Sequence, residues 1–201
     1  GNAACTLHVR RIGVGGCKSE ALLRQVFAEH GELLAAQIRD RTDTQTGTDT
    51  SWALVGSPVP FDLHGVYAAS PDSAYAVGAQ GTVLHYDGLA WSMVTGIPGV
   101  LSTAVFRSVY VDDTGKATLV GDGGILAEGN IDSGFVYAGA LVEEGALMDV
   151  WGKDGVRFVV GDNSEIFSHA GSWESLETPT TQHLRSVSGV AVDDVWAVGW
   201  A

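Results

Sequence analysis

The sequence predicts a mainly β chain: about three and a half repeats of a four-stranded antiparallel unit, preceded by a small α/β segment with one helix. Three observations predict it. One apolar opening pattern recurs as LHGVYAAS at Leu63, FRSVYVDD at Phe106, LMDVWGKD at Leu147 and LRSVSGVA at Leu184, at steps of 43, 41 and 37 residues. A second run, closed by glycine, follows each time and ends at Gly78, Gly121, Gly161 and Gly199, and the turn before it carries Asp72, Asp113, Asp154 and Asp194 at steps of 41, 41 and 40. Within one period, Leu63 to Val94 reads as four short strands separated by turn signals at Ser70–Ser73, Ala79–Gly81 and Asp87–Gly88. A four-stranded antiparallel unit repeated at this length is a β-propeller blade.

The blades are expected near 63–94, 106–137, 147–177 and, incomplete, 184–201, within a partial propeller running from 51 to 201. A single such unit has two apolar faces and cannot cover both, so stacked neighbours are obligatory. The second strands AYAVG, ATLVG, RFVVG and VWAVG are nearly continuous apolar runs, as strands covered on both faces should be. Their closing glycines are expected to turn the chain with positive φ. Trp91 and Trp173 open the fourth strands, AWSMV and SWESL, and are expected to wedge between sheets.

Residues 1–50 follow a different pattern. TLHVRRI (Thr6 to Ile12) alternates as a strand; Ser19 offers a helix N-cap, Leu22, Leu23, Val26 and Phe27 have helical spacing, and Gly31 stands where the helix should end. ELLAAQIRD makes a second strand, the polar run Thr42 to Thr50 a loop, and SWALV a third strand. SWALV also matches the fourth strands of the blades, with Trp52 lying 39 residues before Trp91. It therefore has two expected partners, Thr6–Ile12 or the repeat strand Val195–Gly199. TLHV at Thr6 to Val9 resembles TVLHY at Thr82 to Tyr86, which suggests a third strand for the incomplete fourth blade.

Net charge is −13, and the excess lies in the repeats: residues 1–55 hold six Lys and Arg against six acids, residues 56–201 five against eighteen. An acidic repeat surface argues against holding a phosphate backbone there. Acidic turns that keep a repeat protein in solution are the plainer reading. No apolar run reaches the roughly 18 residues of a membrane span. Cys5 and Cys17 form neither a disulfide framework nor a metal-ligand spacing. The sequence starts without Met and stops after a second strand, so a longer polypeptide, further chain or another subunit is expected to complete the propeller.

The residues AYAVGAQGTVLHYDGLAW (Ala74 to Trp91) and VWAVGWA (Val195 to Ala201) resemble bacterial propeller proteins built on VWAVG…GTILHYDG…W units, mostly secreted or surface proteins. The turn HYDGLAW is similar to the Asp-box of sialidase-like and photosystem II assembly-factor propellers, with Asp87, Gly88 and Trp91 in place; SHAGSW (Ser168 to Trp173) lacks the Asp. In those families this turn is a folding device. The order LHVRRI, LLRQVFAEHGELLAAQI, RDRTDTQTGTDTSWALV resembles the first half of an RNA-recognition motif, through about residue 55. That resemblance implies base stacking on the first and third strands, which gives His8, Arg10 and Trp52 as candidate RNA contacts; His8 stands where the family has an aromatic residue, and Leu54 at the principal third-strand position. It also implies an intracellular setting, whereas the repeats' resemblance implies an extracellular one or the cell surface.

Catalytic patterns are absent: the chain contains no P-loop, no G-x-S-x-G and no H-E-x-x-H. GVGG at Gly13 to Gly16 lacks the trailing Lys-Ser/Thr of a phosphate loop. His85 and His169 occupy equivalent third-strand positions. Asp72, Asp113, Asp154 and Asp194 are candidate binding residues along one rim, where periodic carboxylates suit a hard cation, although Asp beside a tight turn commonly bonds its own backbone. The expectation is a non-catalytic binding or scaffolding propeller, without cofactor or metal, presenting rim loops to a protein or glycan partner. Alternatives are an RNA-binding protein through residues 1–55 and an accessory or assembly factor of a larger complex.

Overall fold

The computed structural model of the protein describes Leu34–Ile38 and Trp52–Trp200. Two compact units divide the chain, and among the described residues the boundary falls between Asp62 and Leu63. In the first, β1 (Leu34–Ile38) and β2 (Trp52–Gly56) form an antiparallel pair running from Leu34↔Gly56 to Ile38↔Trp52. The strand that the sequence offers two partners therefore pairs with the LAAQI segment. Thr6–Ile12, the helix expected from Ser19 to Gly31, the GVGG cluster, Cys5 and Cys17 lie outside the described residues.

The second unit is mainly β, with successive antiparallel sheets in simple up-and-down order. The first sheet is β3 (Leu63–Ser70), β4 (Ser73–Gly78), β5 (Val83–Tyr86) and β6 (Trp91–Met93), and the second is β7 (Phe106–Val111), β8 (Ala117–Gly121), β9 (Ile125–Asn130) and β10 (Gly134–Ala140). The third is β11 (Leu147–Lys153), β12 (Val156–Gly161), β13 (Ile166–His169) and β14 (Trp173–Ser175). β15 (His183–Ala191) and β16 (Asp194–Trp200) make a two-stranded sheet. First strands of successive sheets lie side by side, β3 against β7, β7 against β11 and β11 against β15.

Strand periodicity distributes the core. Alternate residues of a strand point to opposite faces, so the second strand of an interior sheet, β8 or β12, serves two seams between sheets. In β8, Ala117 and Leu119 enter the seam with the first sheet and Val120 the seam with the third; in β12, Val159 enters that same seam and Val160 the next. The first seam also holds Tyr75, Val77, Leu101, Phe106, Val109 and Phe135, the second Tyr110, Leu126, Leu147 and Phe167, and the third Leu184 and Val187. Fully burying one Val, Leu or Phe side chain contributes about 1.5–3 kcal/mol, so the doubly buried second strands are the main source of cohesion.

The closing glycines act differently from the sequence expectation. Gly161 has φ −157, which is extended backbone, and Gly78, Gly121 and Gly199 do not adopt positive φ either. Three of them are glycine because the backbone entering the first strand of the same sheet passes directly over them: a Cβ at Gly121, Gly161 or Gly199 would overlap the carbonyl oxygen of Val105, Ala146 or His183. Positive φ occurs instead in the hairpin turns, as at Asp154 and Gly155 (φ 51 and 80) between β11 and β12.

Side-chain hydrogen bonds set the third turn of the first two sheets. Asp87 Oδ1 accepts the backbone N–H groups of Leu89 and Ala90, both at 2.9 Å, and those bonds hold its carboxyl below the usual range. In the second sheet Asn130 Oδ1 accepts from Asp132 and Ser133 at 3.0 and 2.7 Å, two and three residues on, the same spacing with an amide in place of the carboxylate.

Candidate functional site

Each first strand carries a β-bulge near its start, at its second residue in β3, β7 and β11 and its third in β15. Pairing with the second strand skips from Leu63 to Gly65, Phe106 to Ser108, Leu147 to Asp149 and Leu184 to Ser186, which makes His64, Arg107, Met148 and Arg185 the bulged residues. A bulge turns its extra side chain away from the regular alternation, and because the first strands are neighbours, residues from separate sheets meet at this end. Arg185 reaches across to Met148, donating from one terminal nitrogen to the sulfur at 3.0 Å, while the other lies 3.5 Å from Asp162 Oδ1. Its guanidinium stacks over the Trp200 ring at 4.2 Å, and its Nε–H finds no acceptor among the described residues. His183 Nδ1 lies 3.1 Å from the same Asp162 oxygen.

Arg107 is engaged otherwise. Its Nε and a terminal nitrogen donate to the two oxygens of Asp122 at 2.6 and 2.7 Å, a bidentate pair that raises the guanidinium pKa further. Asp122 and Asp162 follow the closing glycines of their second strands; Asp122 meets the bulge residue of its own sheet, Arg107, and Asp162 that of the next sheet, Arg185.

One residue further on, the equivalent positions are Gly65, Ser108, Asp149 and Ser186. Asp149 links three sheets: Oδ1 accepts from Ser108 Oγ at 2.7 Å, and Oδ2 from Ser186 Oγ at 2.8 Å and Val187 N–H at 2.9 Å. At Gly65 the second sheet presses so near that a Cβ would come within 2.8 Å of Arg107 O, which leaves no room for a matching side chain.

A second polar constellation occupies the seam between the second and third sheets. Arg157, 6% exposed, donates to Thr118 Oγ1 at 2.7 Å and to Glu128, contacts the His169 ring at 2.9 Å, and lies 5.4 Å from the centre of the Trp173 ring. Lys116 Nζ donates to the other Glu128 oxygen. Burial alone would raise the Glu128 carboxyl pKa; the bonds from Lys116 and Arg157 outweigh it and hold the group ionised below the usual range. His169 is pushed down, first by burial and then by Arg157. The registers correct the expected equivalence of the two histidines: His169 lies opposite Arg157 as Tyr86 lies opposite Ala74, and His85 lies opposite Tyr75 as Ser168 lies opposite Phe158. His85 sits against Tyr75, ring centres 4.8 Å apart, with its Nε2 3.1 Å from Ser73 Oγ, and burial lowers its pKa too. Each of the two histidines thus packs within its own sheet. Trp91 packs against Tyr86 of its own sheet at 5.4 Å, whereas Trp173, 5.0 Å from His169, also packs against the seam between the second and third sheets.

The four aspartates singled out in the sequence lie at corresponding turns between first and second strands, each in its own sheet. Asp72 donates its N–H to Ser70 Oγ at 3.3 Å, Asp113 is exposed, Asp154 takes positive φ, and Asp194 Oδ1 accepts from Trp196 Nε1 at 2.8 Å. In the second sheet the backbone-bonding role belongs to Asp112, which accepts from Thr114 and Lys116 N–H at 2.9 and 3.0 Å. Among the described residues no three His, Cys, Asp or Glu side chains group as a metal site. His8 and Arg10 lie outside the described residues, and Trp52 is the first residue of β2, opposite Ile38. Asp149, Arg157, Arg107 and Arg185 were not singled out by the sequence; the recurrence of first strands at Ser108, Asp149 and Ser186 was the signal that could have found the first of them.

No family model matches the chain, and no curated protein matches it. Solved structures do. The WD40 β-propeller domain of Doa1 superposes with a TM-score of 0.55 at 16% identity, covering 66% of this chain and 46% of that one. The fold is that of a β-propeller. A streptogramin B lyase matches this propeller with a TM-score of 0.58 at 10% identity, over 71% and 50% of the two chains. YCF48 bound to D1 peptide matches with 0.53 at 15%, over 74% and 51%. The propeller spans about half the length of the structures it matches. No helix among the described residues is long and apolar enough to cross a membrane.

Proposed function

We propose that the chain is a non-catalytic binding propeller that holds an acidic, extended segment of a protein partner at the bulged end of its first strands. The observation that carries this reading is Arg185. Its own-chain acceptors are a thioether sulfur at 3.0 Å and a carboxylate at 3.5 Å, and its Nε–H has none among the described residues. A peptide carboxylate beside this guanidinium would gain charge-assisted hydrogen bonds that Met148 does not supply. Trp200, 52% exposed, adds an aromatic face at the same place, and arginine and tryptophan are the side chains on which interface energy concentrates. Arg107 differs, because Asp122 already occupies its fork. Among the similar structures YCF48 is bound to a peptide, and the streptogramin B lyase belongs by name to an enzyme; the fold therefore serves both classes, and the reading rests on the site.

The test is a fluorescence titration of the full chain with labelled Glu-rich, neutral and Lys-rich peptides. The Glu-rich peptide should bind best, lose affinity as salt rises, and bind about ten-fold more weakly to Arg185→Ala, a difference of about 1.4 kcal/mol. Equal binding of all three peptides, or affinity untouched by the substitution, overturns the reading.

A further inference from the structure

The outer edges of the three four-stranded sheets are unlike. β6 and β14 are three residues long, and β14 carries Glu174; β10 (Gly134–Ala140) has seven residues, with no charged side chain or proline among them. It is the last strand of its sheet, and among the described residues no backbone hydrogen bond reaches it from its outer side. Short strands and charges are common means of keeping a sheet edge from pairing with another chain, and β10 lacks both.

Its side chains are open as well. Phe135 is buried in the first seam, but Val136 is 60% and Tyr137 43% exposed, and Ala138 and Ala140 are exposed beside them. A β-bulge between Tyr137 and Gly139 interrupts the ladder, so the regular part of the edge is residues 134–137, with alternate N–H and C=O groups pointing outward. Acids stand beyond both ends. Asp132 lies in the turn that precedes β10. Glu143 and Glu144 follow it, in a segment held beside the start of β9 by Leu141 N–H donating to Gly124 O and Gly124 N–H to Gly145 O. All three acids are exposed, and none is in an ion pair among the described residues.

We propose that the edge of β10 takes up an extended segment of a partner protein as a further strand of the second sheet, apolar at its centre and carrying Lys or Arg at both ends. Main-chain hydrogen bonds to residues 134–137 hold the segment. Its β-branched or aromatic side chains cover Val136 and Tyr137, and its basic ends meet Asp132 on one side and Glu143 and Glu144 on the other. The same charges decide against a second copy of this chain. Pairing two β10 strands antiparallel brings Asp132 of one copy toward Glu143 and Glu144 of the other, and pairing them in parallel brings like acid to like acid, between chains of net charge −13. The inference is independent of the proposed acidic-peptide site: it concerns the outer edge of the second sheet, uses neither Arg185 nor its partners, and takes a segment of opposite charge.

Fluorescence titration of the full chain with labelled peptides tests it. The probe is Lys-Lys-Val-Thr-Val-Thr-Val-Lys-Lys, set against the same peptide with its central Val replaced by Pro and against one with Ser in place of every Lys. The probe should bind at least about ten-fold more tightly than either control, and Val136→Lys, which charges the edge, should weaken it about ten-fold. Amide exchange at alternate residues of 134–137 should slow when the probe binds. Equal binding of the proline peptide overturns the proposal, since strand pairing needs the missing N–H. Affinity untouched by Val136→Lys overturns it by placing the peptide elsewhere. Dimerisation of the chain at rising concentration that Val136→Lys abolishes also overturns it, by assigning the edge to a second copy.

Discussion

The first and second seams have the same topology and are held by different chemistry. Between the first and second sheets Tyr75, Val77, Leu101, Phe106 and Phe135 make an apolar seam closed by aromatic edges, with Tyr75 and Phe135 centred 6.4 Å apart at 75°. Between the second and third sheets a buried cation, Arg157, ties Thr118, Glu128, His169 and Trp173 together beside a smaller apolar core. Position in the repeat therefore fixes where a side chain sits without fixing how it bonds. An apolar seam tolerates substitutions that preserve volume, whereas a buried charge is stable only with its full set of partners.

The apolar seam should break most severely. Phe106→Ala removes a fully buried ring and is expected to cost about 4 kcal/mol; urea unfolding that shows less than about 2 kcal/mol would mean that the seam closes over the gap. Arg157→Ala comes next, at about 3 kcal/mol, because Glu128 and Thr118 lose a buried donor. A loss below about 1 kcal/mol would show the second seam to be held by its apolar residues alone.

The smallest effect is a response to acid that the polar seam should show more strongly. His85 and His169 both have pKa values lowered in the folded chain, chiefly by burial. The unfolded chain then binds protons first, so their contribution is complete above about pH 6.5 and declines as pH falls toward the folded-state values. Glu128, also lowered, contributes above its unfolded value near 4.3 and is lost as pH falls through its folded one. Stability measured from pH 8 to 2 should fall in two stages. His169→Gln should flatten part of the first stage; an unchanged profile would remove that imidazole from the account.

What the sequence made legible follows from period-2 and period-41 patterning. The strands, their order, the doubly buried second strands and the turns at Asp87 and Asp154 could all be read from apolar alternation and turn residues. The closing glycines were legible as positions but not as causes, because a close approach by Val105, Ala146 or His183 leaves no local trace in the chain. Asn130 escaped notice because it does with an amide what the repeat does elsewhere with Asp. The bulges at His64, Arg107, Met148 and Arg185 were invisible, since a bulge is a property of paired strands. The Arg157 seam joins residues up to 39 apart in sequence, with no spacing rule to suggest them.

The sharing of β8 and β12 between two seams also bears on the order in which the array comes apart. An interior sheet such as β7–β10 can leave only by opening two seams at once, so its loss is cooperative. Of the three described seams, the one between the third sheet and the β15–β16 hairpin has the smallest buried core. In denaturant it should therefore open before the other two, with amide exchange slowing in steps toward β8.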